Sequence, residues 1–244
     1  MKNKTPEFKG RMLQLPPLVQ LARLPGMRRP MTKLAFHWLL GERGAMLSRW
    51  VLGIQRRTVY LVPPSVADVE WMLEQFHDPE ISEMFGYHHL GSPIMIYRYR
   101  AGTLVVATIK LVATRERIGF LVMYPPAELG FWEFGYAIPD SVHRNAFNAL
   151  NSTDALAHYM FEYLEVSLLG WRTRDDNRTA DAVVRRLGYP PGERIEELGH
   201  HYTLYRLNLE GWRKRREKLE RNEAQQQNKR PAFFVLPPPY LPVT

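Results

Sequence analysis

The apolar positions change period several times between residues 57 and 208, and each period predicts one type of element. Runs of aromatic and β-branched residues predict strands, whereas apolar residues three and four positions apart predict helices. The predicted strands are 58–62, 103–110, 118–124, 131–138 and 168–173. The predicted helices are 66–76, 149–165 and 177–187, with a shorter helical segment after Pro79. This order indicates an α+β fold with a mixed, mostly antiparallel sheet flanked by helices.

Cap and turn residues agree with this interpretation. Ser65 follows two prolines and is a good N-cap for the first helix. Gly188 stands where a left-handed C-cap is expected after the helix that ends at Leu187. The charged stretch 115–117 joins two β-rich runs, so we expect these runs to pair as an antiparallel hairpin.

The flanks differ in composition from this region, so the sequence predicts four parts. These are a basic, proline-containing arm (1–55), a folded domain (56–208), a charged helix (209–230) and a proline-rich apolar tail (231–244). The helix is charged nearly all round, which predicts a solvated element that projects outward or binds an acidic surface. A free tail would expose the apolar residues 233–236 to water, so we expect residues 231–244, like the arm, to contact a protein partner or a second copy of the chain.

The net charge of +8 comes from the N-terminal arm. Residues 1–55 hold ten Lys or Arg against two Glu, which gives +8, and residues 56–244 hold 23 basic and 23 acidic groups. Such an arm can contact nucleic acid, an anionic membrane or an acidic partner protein, or it can serve only as a solubilising tail.

Within the arm, residues 31–54 have an amphipathic pattern that predicts a helix weakened by two glycines. This helix would dock on the protein's own domain, on a partner, or on a membrane surface, and we favour protein docking. A transit peptide is an alternative because the arm is rich in arginine, but its prolines and its single serine, Ser48, fit that class badly.

Composition excludes several kinds of chemistry. The chain has no cysteine, which rules out cysteine nucleophiles and zinc sites built on sulfur. No run of about 18 apolar residues is present, so we expect no membrane span. The pairs His88-His89 and His200-His201 have no carboxylate at ligand spacing, and we expect no metal site.

The run from Leu129 to Tyr189, preceded by the hairpin, resembles the Gcn-five-related N-acetyltransferase (GNAT) superfamily. Within it, the chain is most similar to the group that acetylates ribosomal-protein N-termini and related amines. The matching pieces are Glu133 to Pro139, Arg144 and Ala149 of an Arg-x-x-Gly-x-Ala loop, Tyr159 to Glu162, Asn177, and Leu187 to Tyr189. The resemblance covers roughly residues 57–208 and implies acetyl-CoA as the cofactor.

The loop implied to bind the cofactor begins the long helix. A helix N-terminus offers unpaired N–H groups and a positive dipole end to a pyrophosphate. The implied cofactor-binding residues are Tyr136, Ala137 and Ile138 on the strand and Arg144, Asn145, Asn148 and Ala149 in the loop. Phe147 replaces the family's central glycine, cannot readily take a positive φ, and argues against CoA binding. The alternative is a plain helix start, with Asn148 or Asn151 as its cap and Phe147 packed as an anchor.

The resemblance also implies catalytic groups. Glu133 stands where the family has a carboxylate that takes the proton of the substrate amine, although a plain surface glutamate is the alternative. The family's tyrosine acid would fall at Val184, so proton return would need Asn177, water or another group. Asn177 would otherwise only cap the last helix.

Two functions follow as hypotheses. The first is an acetyl-CoA-dependent N-acetyltransferase acting on an amine. The second is a GNAT-fold module with degenerate catalysis that serves as a structural subunit of a large assembly, such as a phage particle, and docks by its arms. The expected location is accordingly the cytoplasm or such an assembly.

Overall fold

The computed structural model describes residues 53–84, 105–124, 131–197, 199–226 and 231–236. The strands are β1 (Gly53–Arg56), β2 (Val59–Val62), β3 (Val105–Leu111), β4 (Arg117–Tyr124), β5 (Trp132–Ala137), β6 (Leu168–Arg174), β7 (Pro191–Glu197), β8 (His200–Asn208) and β9 (Phe234–Leu236). The helices are α1 (Val66–Gln75), α2 (Pro79–Met84), α3 (Ala146–Glu162), α4 (Arg178–Leu187) and α5 (Leu209–Gln225).

The described strands form one sheet in the order β7-β8-β6-β5-β4-β3-β2-β1-β9. β5 and β6 are parallel, and the other neighbours are antiparallel. The crossover from β5 to β6 runs through α3, as a parallel connection requires. These findings confirm the α+β fold and the predicted hairpin of β3 with β4, which β5 extends.

The two faces of the sheet carry separate apolar layers. On one face, α3 packs across β1 and β2 and also contacts α4 and α5, around a core that includes Leu156 and Met160. On the other face, Phe120 of β4 meets the rings of Trp71 and Phe76 from the α1 segment, with ring centroids 6.0 and 5.5 Å away. Both layers fix the central strands β4 and β5.

The N-cap of α1 and the C-cap of α4 are those that the sequence predicts. Ser65 accepts from the Asp68 N–H and Asp68 accepts from the Ser65 N–H, which forms a capping box at α1. Gly188 ends α4 with φ of 81° in the left-handed region. The helix predicted at 149–165 instead spans 146–162, because Asn145 supplies the N-cap three residues earlier.

The C-terminal helix differs from its prediction. α5 is packed into the domain: Trp212 is fully buried, and its Nε1 donates to Glu162 Oε1 at 2.9 Å. The exposed remainder of α5 is charged, as its sequence indicates, but one tryptophan and the buried Glu223 attach it to the domain. The prediction of a helix that projects into solvent was therefore wrong.

The tail also differs from its prediction over residues 231–236. These residues run along the chain's own sheet, where β9 pairs with β1 in the register Gly53↔Leu236 to Gln55↔Phe234. Leu236 is 1% exposed, and Phe233 packs against the core. The chain itself covers most of the apolar surface for which the sequence suggested another protein, although Val235 stays 46% exposed.

Some expectations lie outside the described residues. They concern residues 1–52, His88-His89 and 237–244. The strand β1 begins at Gly53, so the last three residues assigned to the arm belong to the sheet. In the described part of the chain, no helix is long and apolar enough to cross a membrane.

Candidate active site

The parallel strands β5 and β6 separate shortly after they meet. Within the described residues, their pairing is confined to Trp132↔Leu169 and Glu133↔Gly170. Where the two strands pair, the ring of Phe131 covers Gly170, and a Cβ on residue 170 would stand 2.2 Å from Phe131 Cε2. A larger residue at position 170 would therefore push the strands or the ring apart. Among the strands that the structure describes, none pairs with the β6-facing edge of β5 beyond Glu133.

Aromatic side chains fill one face of this opening. The Trp171 ring lies 5.0 Å from Phe134 and 5.4 Å from Tyr136, measured between centroids. Trp132 packs against the same core cluster, so Trp132, Phe134 and Tyr136 lie on one face of β5. Burial raises the pKa of Tyr136 to about 12, so its hydroxyl is protonated at neutral pH.

Glu133 lies on the opposite face and is paired with Arg172 of β6. Its carboxylate Oε1 accepts a hydrogen bond from Arg172 Nε, and the residue is only 6% exposed. The alternative of a plain surface glutamate is therefore wrong. Sequence reasoning missed Arg172, whose signal was a basic residue within a short strand otherwise rich in apolar residues. The pair connects the two strands just past the point where they separate.

The first turn of α3 lies after the end of β5 and has an ordinary capped start. Asn145 Oδ1 accepts from the Asn148 N–H at 2.9 Å, and the Asn145 carbonyl accepts from the Ala149 N–H at 3.2 Å. Asn145 is therefore the cap, and the alternatives Asn148 and Asn151 were wrong. Among the described residues, the N–H groups of Ala146 and Phe147 have no acceptor. They are the orphan donors of this helix end.

The Asn148 side chain is buried and faces inward. Its Oδ1 accepts from Thr58 Oγ1 at 3.2 Å, and its Nδ2 donates to the His143 carbonyl at 3.0 Å. Asn151 Nδ2 also donates to Thr58 Oγ1, at 3.0 Å. These bonds attach α3 to the turn between β1 and β2. They give the Asn148 side chain a structural role, and the cofactor contact that the resemblance implied stays a prediction.

Phe147 points outward from the second position of α3. Its side chain is 60% exposed, so the interpretation of this ring as a packed anchor was wrong. The residue lies in the helix and is not among the described residues with positive φ. The conformational objection to a phenylalanine at this position therefore does not apply, because this loop takes no left-handed backbone here.

Arg144 joins the end of β5 to the helix start. Its Nε donates to the Ile138 carbonyl at 3.1 Å, and Nη2 donates to the Pro139 carbonyl at 2.7 Å. Nη1 contacts Glu80 Oε1 of α2 at 3.2 Å. The guanidinium was predicted to hold phosphates, and that prediction is untested. These contacts hold the loop between β5 and α3 in one conformation.

Asn177 directly precedes α4, and Val184 lies within that helix. Asn177 Oδ1 accepts from the Ala180 N–H at 3.0 Å and caps the helix, as the second interpretation of this residue predicts. Val184 is fully buried in the core, so no acid replaces the family's tyrosine there. In the described ranges, no group of three or more potential metal ligands comes together.

Comparison with known proteins agrees with this geometry. The family model of the GNAT acetyltransferase domain matches residues 58–190, more than half of the chain. The chain therefore belongs to the GNAT acetyltransferase domain family. No curated protein matches it at the level of sequence.

Solved structures share the fold at low sequence identity. An acetyltransferase of the GNAT family from Bacillus anthracis has a TM-score of 0.54 at 12% identity, covering 65% of this chain and 99% of that one. Spermidine N-acetyltransferase from Vibrio cholerae, solved with CoA and spermine, has a TM-score of 0.55 at 10% identity, covering 64% and 98%. RimJ from Mycobacterium smegmatis, solved with CoA-disulfide, has a TM-score of 0.50 at 15% identity, covering 65% and 86%.

Proposed function

We propose that this protein is an acetyl-CoA-dependent N-acetyltransferase that acts on an amine. The observation that carries the proposal is the separation of β5 from β6 next to the start of α3. There, the N–H groups of Ala146 and Phe147 have no acceptor among the described residues. Membership of the GNAT family and the CoA bound in two structural neighbours support it. The acceptor amine is proposed only as a class.

The backbone at this site fits the donor better than the side chains do. The N–H groups of Ala146 and Phe147, at the positive end of α3, would hold the pyrophosphate. The edge of β5 between Glu133 and Ala137, with which no described strand pairs on the β6 side, would hold the amide-containing arm, as one strand holds another. Arg144 contributes by keeping the ends of these two elements together. The donor itself supplies an activated acyl thioester.

Glu133 is the candidate general base. The ion pair with Arg172 keeps its carboxylate in one orientation beside the opening of the strands. A carboxylate there would take the proton that the attacking amine loses. Val184 offers no acid, and the Asn177 side chain is occupied as a cap, so solvent would return the proton to the leaving thiolate.

A thiol-release assay tests this function directly. The chain has no cysteine, so a thiol reagent reports only CoA freed from acetyl-CoA. We expect release that depends on an added amine, with polyamines and peptide N-termini as acceptor arms. Glu133→Gln should lower kcat by at least about 100-fold while donor binding persists. Equal turnover in this variant would remove Glu133 from the mechanism.

Donor binding has its own matched pair of variants. Ala146→Pro removes one proposed donor N–H at the first helical position, where proline is tolerated and Asn145 is already extended. Val66→Pro makes the same change at the first position of α1, also after an extended cap. Calorimetry should show weaker acetyl-CoA binding for Ala146→Pro alone. No binding by the unaltered protein at millimolar acetyl-CoA would sink the proposal.

Three observations favour a second candidate, a GNAT module without catalysis that docks into a larger assembly. Glu133 is paired with Arg172, the Arg144 donors are occupied, and Val184 replaces the acid. This candidate expects no donor binding and an interaction through residues 1–52. Deleting that arm, while retaining β1, should abolish co-purification with a partner. Unchanged association would count against the candidate.

A further inference from the structure

A cleft of about 320 Å³ lies at the far edge of the sheet, between β1, the end of α5 and β9. Arg56, Arg57 and Glu223 line it together with apolar residues of the tail, among them Phe234. This cleft is separated from β5 by the strands β1 to β4 in the sheet order. It belongs to no part of the proposed acetyl-transfer site.

Two guanidinium groups share a single carboxylate oxygen in this cleft. Arg56 Nη1 and Arg57 Nε each lie 2.6 Å from Glu223 Oε1. Two positive charges against one negative charge leave a net charge of +1. Asp154, the acid whose charge also acts on these arginines, is bound at 2.5 Å to Arg215 and does not balance the excess.

Arg56 has donors that the described residues leave unused. Its side chain is 3% exposed, yet within the described part of the chain Nε has no hydrogen-bond partner. Among the described residues, its bonds go from Nη1 to Glu223 and to the Ala232 carbonyl, at 2.6 and 3.3 Å. An unpaired donor on a buried charged group is costly unless something meets it. A planar fork of N–H groups matches the oxygen atoms of phosphate or carboxylate.

We propose that this cleft binds the oxyanion group of a small molecule, with Arg56 and Arg57 as its cationic ligands. The volume suits a small phosphorylated or carboxylated compound rather than a polymer. The ring of Phe234 and the side chains of Pro231 and Ala232 offer apolar contacts to the remainder of such a molecule. The surplus charge favours an anion over a neutral or cationic ligand.

Calorimetry on the full chain tests the proposal with inorganic phosphate and with acetate, against chloride at equal ionic strength. We expect saturable binding of at least one oxyanion and none of chloride. Binding of phosphate alone would assign a phosphomonoester, and binding of acetate alone would assign a carboxylate. Absence of binding by both would overturn the proposal.

A matched pair of variants locates the binding. Arg57→Gln removes the more exposed of the two guanidinium groups, whose loss the fold tolerates better than that of the buried Arg56. We expect oxyanion affinity to fall about tenfold or more. Arg221→Gln removes an exposed arginine of α5 that has no ion pair among the described residues, and should leave affinity unchanged. Equal affinity in Arg57→Gln and the unaltered protein would place binding elsewhere and overturn the assignment.

Discussion

The two ends of α3 contact very different surroundings. Its first turn has an exposed Phe147 and two N–H groups that find no acceptor among the described residues, beside strands that have separated. Its later turns carry His158, which stacks on Phe233 of the tail at 4.3 Å between centroids with the ring planes 4° apart. One end of the helix is left open, and the other is closed by residues from the C-terminal part of the chain.

This difference separates what stabilises the fold from what the fold presents to a ligand. At the closed end, α5 and the tail contribute ion pairs and rings that bury one another, and the bonds of Arg56 to Glu223 and to Ala232 span 167 and 176 residues of sequence. At the open end, the bonds of Arg144 to carbonyls five and six residues away are local, whereas Asn148 and Asn151 bond to Thr58 across 90 and 93 residues. Stability and chemistry should therefore respond to different substitutions.

The largest loss of stability is expected from Trp212→Ala. The side chain is fully buried among rings from α3 and the tail, including Phe161, His158 and Phe233. The truncation leaves a cavity and should cost about 3–5 kcal/mol in the free energy of unfolding. Urea denaturation measures it, with the exposed Arg213→Ala on the same helix as control. A cost below about 1 kcal/mol would mean that α5 is not part of the folding unit.

Glu223→Gln should come next. It leaves the buried Arg56 and the neighbouring Arg57 without their shared counter-charge. Removing one partner of a buried ion pair typically costs about 3 kcal/mol or more, because the remaining charge stays desolvated. Glu217→Gln, at an exposed site on the same helix, is the matched control for denaturant midpoints. Equal midpoints in the two variants would show that this carboxylate does not fasten α5.

The sequence predicted local features better than the closed end of α3. The β3–β4 hairpin and the Gly188 C-cap follow from local patterns, and the structure confirms them, as it does the second interpretation of Asn177, a helix cap. Position 147 was interpreted correctly as a departure from the family loop, but only the structure shows that its ring points outward. The direction of a side chain depends on whether its residue lies inside the helix. Because Asn145 caps α3 three residues earlier than predicted, Phe147 lies within the helix and not in the loop before it.

The closed end was missed for a physical reason. A helix with one tryptophan among many charges has no apolar stripe, so its pattern indicates a solvated helix. A short apolar tail with many prolines likewise does not reveal which sheet edge it will join. Both depend on contacts with residues far away in the sequence, such as Arg56 with Glu223 and Gly53 with Leu236. Local periodicity carries no information about such pairs.

His158 makes the closed end sensitive to pH. Burial lowers its pKa to about 4 from an ordinary 6.5, and Glu162 offsets this only in part. The folded protein then binds the proton more weakly than the unfolded chain, so this group's contribution to stability declines as pH falls from about 6.5 to about 4. With partial exposure taken into account, we expect a loss of roughly 2 kcal/mol. Unfolding free energies across this range measure it.

His158→Phe supplies the control for that titration, because it keeps a ring against Phe233 without a titratable group. The decline between pH 6.5 and 4 should become shallower in this variant. An identical slope in both proteins would assign the decline to other groups and leave the stack without a role in pH dependence.

The smallest effect on stability is expected at the open end, from Phe147→Ala. The ring is 60% exposed, so its removal should change the free energy of unfolding by less than about 0.5 kcal/mol. The informative measurement is acetyl-CoA affinity by calorimetry. Because the ring points outward and the N–H groups of Ala146 and Phe147 stay in place, affinity should change by less than about threefold, well under 1.4 kcal/mol. A rise of tenfold or more would show that the ring obstructs the phosphates, and that the exposed first turn of α3 is a blocked site rather than an open one.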